Sequence, residues 1–258
     1  MDTTTALTIL GSFGAASTAQ IVSHALTLKR ENKNYQKARY QHLYSPTIFK
    51  LTDYIKTEGN FIYNSSSNPS EMFNEIMNNI GDNLKYTSVD MINLYQIWKR
   101  NYSQTPSSEG VELENEMDLR INLAYMFFTQ FIEINKSLNF KHKIVANELK
   151  GPYFFAHFFL LIKECTHPYS VSHFEIFTMY DLVEEILSSS DYFIRRIVAV
   201  RKKLDKVHFS NIYQSGGRVQ KVYLSAYELL YDIADAFADI NEKRASDLKE
   251  IIDSAIRK

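Results

Sequence analysis

From Thr3 to Leu28 no Asp, Glu, Lys or Arg interrupts the chain, and then Lys29, Arg30, Lys33, Lys37 and Arg39 follow against a single Glu31. Leu7, Ile9, Leu10, Phe13, Ile21, Val22, Leu26 and Leu28 supply the lipophilic surface, diluted by Thr and Ser. A helix rises about 1.5 Å per residue, so some 20 uncharged residues cross a hydrocarbon core of roughly 30 Å, and cations just past the end hold that end on the cytoplasmic side. The pattern predicts a membrane-anchor-like helix over Thr5 to Leu28, single-pass, with the main body cytoplasmic. The alternative is a cytoplasmic chain whose first helix is part of the core. Thr8, Ser12, Ala15, Ala16, Ala19, Ser23 and Thr27 form a small-residue stripe at helical spacing, which suits close helix packing and a homo-oligomer through this segment.

Beyond it the apolar positions keep a helical period and no stretch alternates as a strand does. The anchor-like helix is predicted to run to about Leu43, with Ser45-Pro46 opening the next as cap and first residue. That helix stops near Gly59, and Asn64 to Asn68 is a polar loop. Pro69 to Gly81 is the following helix, and Thr87 with Asp90 begins the one carrying Trp98. Ser103 to Gly110 reads as a linker. Val111 to Leu138 is long and amphipathic, with Leu119, Leu123, Met126, Phe127, Gln130, Phe131 and Ile134 on one side. Phe140 to Lys150 is predicted as a short helix closed by Gly151, and Pro152 launches a run from Tyr153 to Ile162 that is too short to cross a bilayer and reads as the central helix of the core. Ser172 and Ser190 cap two further helices. Val219 to the end is helical, with a break near Ala245. The predicted fold is all-α, an irregular helical bundle, with residues 1–44 as anchor-like helix plus basic extension and 45–258 as one helical domain.

A hydrophobic fraction of 45% over 258 residues supports a real core. The net charge of −1 means that any preference for polyanions comes from local patches. A lone Cys165 excludes an internal disulfide and a cysteine-based zinc site.

Two patches qualify. In the first, Lys29, Arg30, Lys33, Lys37 and Arg39 interleave with Tyr35, Tyr40 and Tyr44, cations for phosphates and rings for stacked bases. The second is Arg195, Arg196, Arg201, Lys202, Lys203 and Lys206, diluted only by Asp205. Membrane lipid and single-stranded nucleic acid are the partners these patches suit. Glu164 and His167 form one Glu-x-x-His, where di-iron bundles need two and further carboxylates, so neither a metal nor another cofactor is expected. His157, inside the aromatic run, reads as a core histidine satisfied by a backbone or tyrosine partner. There is no P-loop, G-x-G-x-x-G or G-x-S-x-G elbow.

Arg201 and His208, with six residues between them, resemble the Arg-x4-6-His signature of the all-helical higher eukaryotic and prokaryotic nucleotide-binding ribonucleases, although Lys202 stands where that family favours a small polar residue. That resemblance implies RNA cleavage by the pair across a dimer. The assembled pattern, an N-terminal anchor, a basic helix and an aromatic, Asn-rich helical body with Glu112 to Leu138 followed by Phe140 to Cys165, resembles the membrane-anchored abortive-infection proteins of low-GC bacteria, lactococcal type. It implies phage defence at the inner face of the membrane through nucleic-acid binding, and it transfers no functional residue. The reading is therefore a binding protein rather than an enzyme, with the ribonuclease, a self-associating membrane effector and a helical adaptor as alternatives.

Overall fold

The computed structural model describes residues 23–60, 68–102, 111–140, 143–166, 171–189, 191–209 and 216–256, and these are helical with short turns and no strand. The elements are α1 (23–39), a turn of π-helix (Tyr40–Tyr44), α2 (Ser45–Asn60), α3 (Pro69–Asp82), a 3-10 turn (Leu84–Tyr86), α4 (Val89–Tyr102), α5 (Val111–Leu138), α6 (Lys143–Cys165), α7 (His173–Phe177), α8 (Tyr180–Ser189), α9 (Tyr192–Phe209), α10 (Gly216–Ala238) and α11 (Glu242–Ile256). Residues 5–22 of the predicted anchor, the linker 103–110, most of the loop 64–68 and Ser190 lie outside the described residues. Among the described residues no helix is long and apolar enough to cross a membrane.

α6 is the axis of the bundle. Every residue from Phe154 to Ile162 is buried, because a helix that is apolar on all sides is stable only when other helices cover all sides. α5, α8, α9, α10 and α2 do so, while α10 and α11 pair as a hairpin and α2 carries α3. Phe155 meets Phe177 and Tyr180 at ring centroids 5.1 Å apart, and Phe158 meets Phe237 at 6.0 Å. Each such ring, once buried, contributes about 1.5–3 kcal/mol.

The caps show where the sequence pattern is translated faithfully and where it is not. Asn68 accepts from Ser70 N ahead of Pro69, and Ser172 with Glu175 closes a reciprocal capping box on α7. At α4 the cap is Ser88, whose Oγ accepts from Met91 N at 3.3 Å, while Thr87 turns its hydroxyl back to Leu84 O. α5 ends as the pattern predicts. Asn139, at φ 58°, takes the left-handed position there, and Phe140 N and Asn139 N reach back to Asn135 O and Lys136 O.

Three predicted boundaries are overturned. Ser45-Pro46 does not start a helix afresh: the chain passes through the π turn straight into α2, with Ser45 N–H bonded to Tyr40 O. The wider turn accommodates Pro46, whose ring would crowd the carbonyl four residues back in a regular α-helix. Gly151-Pro152 does not separate two helices either, since both lie buried inside the continuous α6. Gly151 is there for space, as a Cβ would come within 3.2 Å of Glu184 Cγ on α8. The C-terminal break falls at 239–241, with Ala245 buried inside α11.

Candidate functional site

α1 projects its basic residues outward. At about 100° per residue, Lys29, Arg30, Lys33 and Lys37 fall within one third of the helix circumference, and Leu26 lies in the same sector. Tyr35 and Arg39 lie on the opposite side and hold α1 to the body: Tyr35 donates its hydroxyl proton to Lys85 O at 3.2 Å and Arg39 Nε donates to Tyr86 O at 2.8 Å. The cation sector therefore faces away from the bundle, and all four residues are exposed. Lys29, Lys33 and Lys37 repeat at four-residue steps, a spacing at which like charges repel unless an anion lies across them.

Arg39 and Tyr40 of the first patch, both half-buried, are engaged with the body instead. Arg39 also donates to Tyr44 Oη and Gln130 Oε1, each at 3.1 Å, and lies over the Tyr44 ring. Tyr44 in turn donates to Gln130 Oε1, and Gln130 Nε2 donates to Ser88 Oγ at 2.6 Å. Burial pushes the Tyr44 hydroxyl above its ordinary pKa, with Arg39 opposing. Tyr40 stacks on Phe131 at 6.0 Å and meets Phe140 edge-on at 5.1 Å. Neither is a free surface group, so the interleaving of rings and cations read along the sequence is not present on one face in space.

α9 divides in the same manner. Arg195, Lys202 and Lys206 line one exposed face with Lys203 beside it. Arg196 is turned to Asp232 of α10 and to Tyr192 Oη. Arg201, 8% exposed, donates to Glu164 of α6 and, at 3.4 Å, to Asp205, with its guanidinium 5.5 Å from the centre of the Tyr125 ring. Arg201 is thus a strut between α9 and α6, and its forked ends are not offered to a phosphate at the surface. The side chain of His208, its predicted partner, lies outside the described residues, as does His167, the predicted partner of Glu164.

His157 is buried as predicted, but not satisfied as predicted. It sits edge-on to Tyr125 and Tyr153, ring centroids 4.8 and 4.6 Å away, and neither of its nitrogens has a hydrogen-bond partner among the described residues. Burial first, then the charges of Arg201 and Lys202, push its pKa down to about 3, so the ring is neutral. Cys165 lies two turns further along α6 and burial pushes its thiol up to about 12, which makes it a poor nucleophile.

Arg120 forms a third buried node. It is 6% exposed, pairs with Glu58 at 3.2 Å and with Glu116, and donates to Ser70 Oγ, while Tyr54 donates to Glu58 at 3.0 Å. Among the described residues no group of three or more His, Cys, Asp or Glu is placed to hold a metal ion. Two shallow grooves open at the surface, of about 300 Å³ beside Arg244 and about 410 Å³ beside Gly151. In the second, Lys56 pairs with Glu148 and Lys150 with Asp191. Compared with known protein families, curated proteins and solved structures, the chain matches none.

Proposed function

We propose that the protein is a helical binding protein held at a membrane, whose α1 meets anionic lipid headgroups with its outward face. The observation that carries this is the single sector of Lys29, Arg30, Lys33 and Lys37 opposite Tyr35 and Arg39, directly after the charge-free run. A convex ridge of cations fits a plane of phosphates. It does not fit a single strand that needs rings among the cations, because Tyr40 is stacked on Phe131 and Tyr35 is bonded to Lys85 on the side of α1 away from those cations. Each cation near an anionic membrane contributes about 1 kcal/mol, so four amount to roughly 4 kcal/mol at low salt. In cells the body would lie on the cytoplasmic side, where such cations stay. The test is sedimentation with vesicles of phosphatidylcholine alone or mixed with phosphatidylserine. Binding should need the anionic lipid, weaken with salt, and drop by at least about tenfold in K29Q/R30Q/K33Q/K37Q. Equal binding of the quadruple variant would sink the reading.

A second reading rests on α9. Arg195, Lys202, Lys203 and Lys206 stay exposed after Arg196 and Arg201 are taken into the fold, and such a ridge suits phosphates of nucleic acid. This is the activity that the resemblance to abortive-infection proteins pairs with phage defence. Affinity for a single-stranded RNA should fall with salt at a slope near −0.7 per phosphate contact and weaken in K202Q/K203Q/K206Q. A slope near zero would rule it out.

A further inference from the structure

α1 joins α2 through a π turn, Tyr40–Tyr44, closed by the bond from Ser45 N–H to Tyr40 O, and such a turn takes in one residue more than a turn of α-helix. That extra residue decides which way α1 faces. α2 is fixed by a buried row that continues into the turn, Tyr44, Ile48, Leu51 and Ile55, none more than 1% exposed. Lys37 precedes Ile55 by 18 positions, about five whole turns of α-helix, so in an unbroken helix it would point with that row into the body. Arg30 and Lys33 would lie within about 40° of the same direction, and Tyr35 and Arg39 within about 20° of the opposite one. The cations would face the body and their two neighbours would face solvent.

One added residue turns everything before it by about 100°. It carries Arg30, Lys33 and Lys37 off the line of the buried row and brings Tyr35 and Arg39 round to the body, where they donate to Lys85 O at 3.2 Å and Tyr86 O at 2.8 Å. His42, displayed by the π turn, stacks on the Tyr86 ring at 5.1 Å, so the residue that receives Arg39 also braces the turn. Pro46 holds the turn open. It has no N–H, and in a regular α-helix its ring would press on the carbonyl of His42, four residues back. Pro46 is itself exposed, so core packing does not require it.

Resting on the lipid reading of α1, we infer that the π turn aims its cationic face and that Pro46 is the positioning residue that keeps the aim. A flat bilayer reaches a helix docked at one end only from the side away from the body. Arg30, Lys33 and Lys37 meet headgroups in the phase that the π turn imposes, and in the unbroken phase they would be turned to the body's side. The charges are necessary for the site, and their angle about α1 makes them usable.

The test compares the native full chain with Pro46→Ala and with Pro46→Ala from which Gln41 is also deleted. Without Pro46 the turn closes into α-helix and α1 rotates by about 100°, whereas removing the exposed Gln41 as well takes out the extra residue and restores the native angle within an unbroken helix. Nitroxides at Lys37→Cys and Asp82→Cys, both exposed positions, read that angle without lipid, the buried Cys165 staying unlabelled. Their separation should shorten in Pro46→Ala and return in the deleted chain. Binding to phosphatidylserine vesicles should fall at least about fivefold in Pro46→Ala, the effect of about one lost cation, and recover to within about twofold in the deleted chain. An unchanged separation, a changed separation with undiminished binding, or a deleted chain that recovers neither would overturn the inference. Absence of binding by the native chain would instead remove the lipid reading, and the separations would still show whether Pro46 sets the angle of α1.

Discussion

Arg39, Arg120 and Arg201 each occupy a place where charge is costly, and each is held by acceptors on other helices. Arg120 pairs with Glu58 and Glu116, and removing one partner of a buried pair leaves the other stranded, at a cost of about 3–5 kcal/mol. Arg120→Ala should lower the urea midpoint accordingly, whereas Lys50→Ala, whose partner Glu75 is exposed, should change it by under about 1 kcal/mol. Burial outweighs the pull of Arg120 on Glu58 and raises its carboxyl above the ordinary 4.5. The folded state then holds a proton that the unfolded chain has released, so this residue's contribution declines as pH rises from about 4.5 through the raised value. Glu58→Gln should remove that decline from a stability–pH curve. His157 acts in the opposite sense. Its folded pKa of about 3 against an ordinary 6.5 means that the unfolded chain takes up the proton first, and stability is lost as pH falls through that window. His157→Phe should flatten that loss while leaving the aromatic packing in place.

At the scale of elements, local signals were legible and distant ones were not. The limits of α5, the end of α2 near Gly59 and the cap at Ser172 depend on residues within one turn of each other, so the sequence displays them. Pro46 and Pro152 are local signals that tertiary packing overrides, one through the π turn and one because α6 is enclosed on every side. Which cations of the basic patches have partners within the chain was not legible for a different reason. The charge of Arg39 is visible in the sequence, but its acceptor Gln130 lies 91 residues away, and Glu164 lies 37 from Arg201. Whether a cation faces a partner or water is settled only when the helices meet. Gly59 shows the same principle with volume. An added Cβ there would sit 2.6 Å from Cγ of the buried Tyr180. Ala is favoured over Gly within a helix by about 1 kcal/mol, yet this crowding forces α2 and α8 apart. Gly59→Ala should therefore be destabilising by about 1–3 kcal/mol in urea unfolding.

Across the whole molecule, α1 is an outrigger and α5 a hub. Every described side chain from 23 to 34 is exposed, so a chain beginning at Tyr35 should melt within about 2 °C of the full chain, a shift worth well under 1 kcal/mol. It should also lose the vesicle binding ascribed to α1. α5 stands in the opposite relation to the fold. Arg120, Tyr125 and Gln130 follow one another at five-residue steps, which turns each about 140° from the last. They reach in three directions, to α2 and α3, to α9, and to α1 and α4. No single neighbour can peel away from α5 and leave it intact, nor can α5 loosen while the others stay docked. Its central amides should accordingly exchange with deuterium only when the entire bundle opens, with the same denaturant dependence as global unfolding, while amides early in α1 exchange almost as fast as those of a free peptide.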